Sequence, residues 1–221
     1  MAEVVIFGAS MAAEVARTYL EAHTEHRIVG FTVDAAYMTS DRFCDLPVVP
    51  WDEIDRVFPP DRVELLGPVS YQRMNQVRRD RFLEGKARGY RYTSFVHPDC
   101  RVYADEIGEH CFILGQTVIE PRARIGSNVI IWGGCYIAHH CVIGDHTFLS
   151  GQVGVAGGTH IGECCFLGGK VGVAERLVIG DRCLLSFGTN VTTNLPPGSV
   201  VVRGRKDRIA RLPSSRMQRV L

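Results

Sequence analysis

The chain has 221 residues, of which 46% are hydrophobic and 22% are charged. That is enough to bury one large core or two small ones, so we expect a globular protein. The formal net charge is +1, which disfavours binding to nucleic acid or to an anionic membrane surface. The sequence shows neither a run of eighteen apolar residues nor the pattern of a secretion signal, so we expect a cytoplasmic protein without a membrane span.

Residues 1–95 predict a small Rossmann-like α/β domain. "EVVIFGAS" is typical of a buried strand that ends in a glycine turn, "MAAEVARTYLEAH" has helical spacing, and "RIVGFTVD" is typical of a second strand. In such a βαβ unit the helix N-terminus favours a phosphate, and an acid after the second strand suits a ribose or base. We therefore predict that Gly8, Ala9, Ser10 and Asp34 bind a nucleotide. "GASMAA" keeps only the first glycine of the dinucleotide fingerprint, so a purely structural turn is the alternative.

The second part of this region, from "LPVVP" to "EGKARGY", predicts strand, helix, strand and a longer basic helix. Its arginines and lysines are expected to form a solvated face. No chemistry is assigned to this segment.

From residue 107 onward an aliphatic residue recurs at every sixth position. The series is Ile107, Ile113, Ile119, Ile125, Ile131, Ile137, Ile143, Leu149, Val155, Ile161, Leu167, Val173, Ile179, Leu185 and Val191. Neither a helix nor a flat amphipathic strand has this period. The pair Ile-Gly recurs every eighteen residues within it, from 107–108 to 179–180. Eighteen residues make one triangular coil of three short strands, and stacked coils pair as parallel strands about 4.8 Å apart. The sequence therefore predicts a parallel β-helix over residues 96–202.

Most of the eight cysteines fall on a second inward-facing column of this β-helix. The column lies four residues after each aliphatic position and contains Cys111, Cys135, Cys141, Cys165 and Cys183. We expect reduced thiols that pack in the core, rather than disulfides or metal ligands. Cys141 is therefore not predicted to be a nucleophile.

These repeats resemble those of the hexapeptide-repeat acyltransferases, whose fold is a left-handed parallel β-helix, over about half of the chain. With the βαβ domain in front, the chain is similar to the branch of bacterial acetyltransferases that act on nucleotide-linked amino sugars or sialic-acid-type sugars for surface glycans such as lipopolysaccharide. The resemblance implies a homotrimer that binds acetyl-CoA in a groove between neighbouring β-helices and needs no metal. It also implies that the N-terminal domain holds the nucleotide part of the substrate.

Two adjacent histidines, His139 and His140, are the predicted catalytic residues. Positions eighteen apart stack, so both lie beside Gly157 and Gly158, whose missing side chains leave a notch. In that notch a ligand meets an imidazole and backbone N–H groups, which are a base and donors for an oxyanion. This arrangement suits direct attack of an amine or hydroxyl on a thioester. Two solvated corner histidines are the alternative.

The resemblance implies specific roles at this corner. It makes His139 the general base and lets the Gly157 N–H bind the thioester oxygen, with Gly158 beside it. In the family an acid usually follows the base and an asparagine precedes it by seven residues, whereas this chain has His140 and Trp132. These departures leave open whether the acceptor is an amine or a hydroxyl. The column that lines CoA in the family consists here of Gly151, Gly169 and Phe187, for which close packing of the coils is the alternative.

Two other functions stay open. Trimeric β-helices include zinc carbonic anhydrases, and His110 and His146 are two coils apart, as two of their ligands are. The position of the third ligand is Gly151, however, which argues against a metal site. A non-catalytic assembly scaffold is the other possibility.

The C-terminal segment resembles the closing segment of the same branch. "TNVTTNLPPGSVVVRGRK" carries this similarity, but Arg205, Lys206 and Asp207 replace the usual Asn-Pro-Ala. Residues 203–221 form a basic tail, whose charges would suit the phosphates of CoA at the end of the groove.

Overall fold

A computed structural model describes residues 1–67, 70–204 and 208–210. The described residues form two compact units. The first comprises those within 1–70 and 80–94, and the second comprises 71–79 and those from 95 onward. Within these ranges no helix has the length and apolar character needed to cross a membrane.

The first unit is built on a six-stranded sheet. Its strands are β1 Glu3–Phe7, β2 Arg27–Val33, β3 Arg42–Phe43, β4 Leu46–Pro50, β5 Val63–Leu66 and β6 Arg91–Tyr92. The helices are α1 Met11–His23, α2 Ile54–Val57 and α3 Gln76–Ala87, with 3-10 turns at Ala35–Tyr37 and Trp51–Glu53. The strand order is β3-β4-β2-β1-β5-β6, and all neighbours are parallel except β3 and β4. The first four residues of α3 belong to the second unit.

Local sequence explains these elements. After Glu3, β1 is an unbroken apolar run, as expected for a strand of a parallel sheet that is buried on both faces. α1 buries Ala13, Ala16 and Leu20, which lie on one helical face, and leaves its other face to solvent. The predicted Rossmann-like βαβ arrangement is confirmed.

The second unit consists of short strands wound into triangular coils. They are β7 Phe95–Val96, β8 Arg101–Val102, β9 Glu106–Ile107, β10 Phe112–Ile113, β11 Val118–Ile119, β12 Arg124–Ile125, β13 Ile130–Ile131, β14 Tyr136–Ile137, β15 Val142–Ile143, β16 Phe148–Leu149, β17 Gly154–Val155, β18 His160–Ile161, β19 Phe166–Leu167, β20 Gly172–Val173, β21 Val178–Ile179, β22 Leu184–Leu185, β23 Asn190–Val191, β24 Val200–Val202 and β25 Arg208–Ala210. The first sheet holds β7, β10, β13, β16, β19, β22, β24 and β25, the second holds β8, β11, β14, β17, β20 and β23, and the third holds β9, β12, β15, β18 and β21.

The stacking register is eighteen residues in each sheet. In the second sheet, for example, Ile119 pairs with Ile137, which pairs with Val155. These three side chains are fully buried in the core, as are the five cysteines of the inward column. All eight cysteines are free thiols. The parallel β-helix and the core position of these cysteines are therefore confirmed.

Each corner of a coil has a residue in the left-handed region. Such residues recur every six positions from His110 to Gly188, and His140 is one of them with a φ of 59°. Only Gly134, Gly158 and Gly188 fill this position with glycine. The rest accept a conformation that costs an ordinary residue about 1 kcal/mol, so the stacking of the coils must hold the corners in place.

Residues 71–79 dock on the β-helix. The Tyr71 ring packs edge-on against Phe148, with centroids 5.2 Å apart, and the Asn75 side chain donates to the Cys165 carbonyl at 2.8 Å. Arg78 is 1% exposed and donates to the carbonyls of Asn128 and His146. The predicted solvated face is therefore wrong for this arginine, because its guanidinium satisfies backbone acceptors inside the unit.

The last described strand lies within the predicted basic tail. β25 pairs antiparallel with β24. Arg205, Lys206 and Asp207, and residues 211–221, lie outside the described residues.

Candidate active site

The predicted nucleotide-binding loop lies between β1 and α1. Gly8 has a φ of 120°, where a side chain would be strained, and its N–H donates to the Thr32 carbonyl at 2.7 Å. Ala9 and Ser10 are exposed, and Ser10 occupies the N-cap of α1 without a side-chain capping bond. The loop therefore presents a helix N-terminus to solvent, where an anion is favoured.

Asp34 has a partner that the sequence did not indicate. Its carboxylate accepts from Nε of Arg81 at 2.8 Å, and Nη2 of the same guanidinium lies at 2.8 Å. Arg81 also pairs with Glu84 at 2.5 Å. A nucleotide contact by Asp34 must therefore be shared with Arg81 or replace this ion pair.

His139 lies directly over Gly157, at the corner between the second and third sheets. A Cβ at residue 157 would stand 2.7 Å from Cε1 and 2.9 Å from Nε2 of the His139 ring. The imidazole thus fills the space that the glycine leaves, so the predicted notch holds the predicted base itself. Nε2 is placed beside the backbone of Gly157.

The two glycines at this corner differ in what their N–H groups do. The Gly158 N–H donates to the His139 carbonyl at 2.9 Å, as required to stack the coils. The Gly157 N–H donates no hydrogen bond among the described residues. At the equivalent position one coil earlier, the His139 N–H donates to the Glu120 carboxylate at 3.1 Å. Among the described residues, the Gly157 N–H is therefore available to donate to a ligand.

His140 contacts its neighbour directly. The two Nδ1 atoms lie 3.1 Å apart, and the rings are nearly perpendicular at 85°. Only one of these nitrogens holds the shared proton. When it sits on His139, Nε2 of His139 keeps its lone pair free to accept a proton. An acid at residue 140 would hold His139 in this tautomer, whereas the contact between the two Nδ1 atoms allows either ring to donate.

Glu120 and Tyr136 complete this corner, and sequence reasoning missed both. Besides the His139 N–H, Glu120 accepts from the Tyr136 hydroxyl at 2.5 Å. The bond from Tyr136, the His139 N–H and the nearby His139 charge hold the pKa of the Glu120 carboxyl below its ordinary value. The same bond raises the pKa of Tyr136. The available signal was the register, which stacks residue 120 on residue 138.

Gly151, Gly169 and Phe187 stack at the next corner, between the first and second sheets. A Cβ at residue 169 would lie 3.2 Å from the Phe187 ring and 3.3 Å from the Gly151 carbonyl, so the aromatic ring packs on the glycine column. Phe187 is nonetheless 57% exposed, and Nζ of Lys170 lies 6.0 Å from its ring centroid. An exposed ring beside a cation suits an aromatic base that carries phosphates.

Between these two corners, two outward positions of the second sheet are glycines. They are Gly154 and Gly172, which pair in register, and we call this surface the glycine face. A Cβ at residue 154 would meet nothing within 4 Å. A slender chain could therefore lie along this face from Phe187 toward Gly157.

His110 and His146 lie at the third corner and are buried. The Asn128 side chain lies 2.8 Å from Nδ1 of His146 and also approaches Arg78, 3.2 Å from its Nη1. In the part of the chain that the structure describes, no three His, Cys, Asp or Glu side chains converge as metal ligands. The two histidines thus face an amide and a guanidinium instead of a third ligand.

Because His110 and His146 are buried, we expect the folded protein to lose stability at acid pH. Burial, with the Arg78 charge, lowers the pKa of His110 to about 3 and that of His146 to about 4. Below about pH 6 the unfolded chain takes up protons on both rings while the folded protein does not. The free energy of unfolding should therefore fall by about 1 kcal/mol per pH unit for each histidine. Urea unfolding between pH 7 and pH 5 measures this slope, and His146→Gln should make it shallower. An unchanged slope in His146→Gln would contradict the assignment.

Comparisons with known proteins agree with this architecture. Residues 106–139 and 122–157 match the family described as bacterial transferase hexapeptide (six repeats). None of the curated protein sequences matches this chain. The acetyltransferase domain of PglB from Neisseria gonorrhoeae has a TM-score of 0.81 at 17% identity, covering 95% of this chain and 100% of that one.

Two further solved structures have the same fold. A variant of perosamine N-acetyltransferase from Caulobacter crescentus, in complex with CoA and GDP-perosamine, has a TM-score of 0.81 at 22% identity, over 95% of this chain and 97% of its own. WeeI from Acinetobacter baumannii has a TM-score of 0.76 at 19% identity, covering 95% of this chain and 100% of its own. The predicted fold class, an α/β unit followed by a left-handed parallel β-helix, is confirmed. Residues 106–157 thus match the bacterial transferase hexapeptide family, and the chain has a fold that these acetyltransferases share along almost its whole length.

Proposed function

We propose that this chain is an acyltransferase that moves the acetyl group of acetyl-CoA to the amino group, or a hydroxyl, of a nucleotide-linked sugar. The observation that carries this proposal is the position of Nε2 of His139 beside Gly157, whose N–H donates no hydrogen bond among the described residues. A base and an oxyanion donor on adjacent coils are what direct attack on a thioester needs. The ligands in the similar structures, acetyl-CoA with the Neisseria domain and CoA with GDP-perosamine in the Caulobacter enzyme, support the substrate classes.

The mechanism assigns each group one task. Nε2 of His139 accepts the proton of the acceptor as its nitrogen or oxygen attacks the thioester carbon. The Gly157 N–H donates to the oxygen that becomes negative, and His140 contacts the His139 ring through Nδ1. When the C–S bond breaks, the proton on His139 passes to the CoA sulfur. No covalent enzyme intermediate is needed, and the buried Cys141 takes no part.

The resemblance to sugar acetyltransferases also supports a proposal for the location and oligomeric state of the enzyme. We place the enzyme in the cytoplasm as a homotrimer, where it prepares sugars for bacterial surface glycans. The loop at Gly8, Ala9 and Ser10, with the pair of Asp34 and Arg81, would hold the nucleotide. The glycine face and Phe187 would hold acetyl-CoA.

A substrate panel tests this function. UDP-, GDP- and dTDP-linked amino sugars are each incubated with acetyl-CoA, and the products are read by mass spectrometry. We expect the mass gain of one acetyl group on at least one amino sugar, and fragmentation shows whether nitrogen or oxygen carries it. Absence of acetyl-CoA binding and of any product, together with one bound zinc per chain and hydration of carbon dioxide, would instead support the carbonic anhydrase alternative.

A further inference from the structure

Glu120 brings a carboxylate to the His139 corner from the preceding coil. One of its oxygens accepts from the His139 N–H at 3.1 Å, and the other accepts from the Tyr136 hydroxyl at 2.5 Å. The carboxylate is thus held at both oxygens, against the main chain of the proposed base. In register with Glu120, the next three coils carry only alanines, which are Ala138, Ala156 and Ala174. Of these four coils, only the one before His139 places an acid on this column.

The contacts of Glu120 keep it ionised. The hydrogen bond from the Tyr136 hydroxyl is the largest cause that lowers the pKa of the Glu120 carboxyl, and the His139 N–H and the nearby His139 charge act in the same direction. Glu120 is therefore a carboxylate at neutral pH. The interaction is mutual, so the carboxylate favours a positive charge on the His139 ring.

Two arginines lie on neighbouring coils of this corner. Arg122, on the same coil as Glu120, is paired with Asp105 at 3.2 Å. Arg176 packs against Gly158, where its Cγ would lie 3.5 Å from an added Cβ, and it is three coils from Glu120, about 14 Å away. That separation exceeds the screening length of about 8 Å in physiological salt. Among the described residues, neither arginine forms an ion pair with Glu120.

Residue 140 is a histidine at the position where the resemblance places an acid, and either of the two rings can donate in the contact between their Nδ1 atoms. A negative charge at the His139 main chain lies closer to Nδ1 of His139 than to Nε2, because Nδ1 is bonded to Cγ and Nε2 is at the far edge of the ring, beside Gly157. The charge of Glu120 thus favours the tautomer with the proton on Nδ1. That tautomer leaves Nε2 free to accept a proton.

We infer that Glu120 is a positioning residue for the proposed base and supplies, from the preceding coil, the carboxylate that residue 140 lacks. It favours the Nδ1–H tautomer of His139, and it stabilises the positive ring that forms when Nε2 accepts the proton of the acceptor. Glu120 neither gains nor loses a proton, since the proton on Nε2 passes to the CoA sulfur. This inference rests on the proposed function, because it assigns Glu120 a role in that reaction.

Glu120→Gln and Glu120→Ala separate the charge from the hydrogen bonds. In the glutamine variant the side-chain oxygen can accept from the His139 N–H while the amide donates to the Tyr136 oxygen, so only the charge is lost. Each variant should lower kcat about five- to tenfold. KM for both substrates should not change, because the charge acts on a ring that becomes positive only in the transition state. A purely structural role would instead slow the alanine variant and spare the glutamine variant.

Asp181→Asn is the matched control. Asp181 also accepts a main-chain N–H from the neighbouring coil, that of Glu163 at 2.9 Å, but at a different corner of the β-helix. Its loss of charge should leave kcat unchanged. A Glu120→Gln protein that turns over as fast as this control would overturn the inference. A loss that appears entirely as a higher KM for the acceptor would also overturn it, since Glu120 would then bind substrate.

Nitrogen-15 NMR of the His139 ring provides a readout without turnover, and His139→Ala identifies its signals. At about pH 8, where histidine rings are neutral, the wild type should carry the proton mainly on Nδ1. Glu120→Gln should raise the fraction that carries it on Nε2. This change in tautomer without acetyl transfer by the wild type contradicts the proposed function alone. Acetyl transfer with the same kcat and tautomer ratio in wild type and Glu120→Gln contradicts the role of Glu120 alone.

Discussion

Replacing His139 by alanine is expected to lower kcat by about 100- to 10,000-fold, the usual contribution of a general base. The variant should fold normally, because the ring is exposed and lies against His140 and the backbone of Gly157 rather than in the core. Steady-state turnover with the acceptor identified by the substrate panel measures the effect. Thermal unfolding confirms that the protein remains folded.

His160→Ala is the matched control for this prediction. His160 is also an exposed histidine of the β-helix, but it lies on a strand of the third sheet. Its loss should leave kcat unchanged. A folded His139→Ala protein that turns over as fast as His160→Ala would rule out His139 as the base.

The β-helix could be predicted because its geometry leaves a periodic trace in the sequence. One side chain in six must enter a narrow core, and each coil repeats after eighteen residues. Register then becomes simple arithmetic, so the pairing of Ile137 with Val155 already places His139 beside Gly157. The candidate base and the candidate oxyanion donor were therefore accessible from residue numbers alone.

Residue numbers and register could not predict the direction of individual side chains. Register stacks Glu120 near residue 138, but its rotamer decides that it binds the His139 N–H and Tyr136. Likewise, the left-handed conformation of His140 accompanies a side chain that approaches the His139 ring. Sequence reasoning assigned no orienting role to His140, because the resemblance gives that role to an acid.

The docked segment 71–79 shows a second kind of limit. Its contacts are not periodic, and the arginines of α3 resemble one another in sequence. Which of them is buried depends on where unpaired carbonyls lie, and Arg78 alone meets those of Asn128 and His146. Charge patterning describes the average residue of a helix and does not identify this exception.

Replacing Gly157 by alanine is expected to lower kcat by about 100-fold with little loss of stability. The backbone tolerates the change, since Gly158 has a positive φ and Gly157 does not. The added Cβ would stand 2.7 Å from Cε1 of His139, however, so the ring must move. An exposed side chain rotates away at small energetic expense, but displacing a catalytic group by about 1 Å can reduce the rate by about 100-fold.

A double-mutant cycle shows whether this loss acts through His139. The Gly157→Ala protein keeps the backbone N–H, so the oxyanion donor is preserved and only the imidazole is displaced. If that is the cause, His139→Ala/Gly157→Ala should turn over no more slowly than His139→Ala alone, because the ring is already absent. Fully additive losses would mean that the methyl group obstructs a substrate directly, and that the contact between residues 139 and 157 does not set the position of the base.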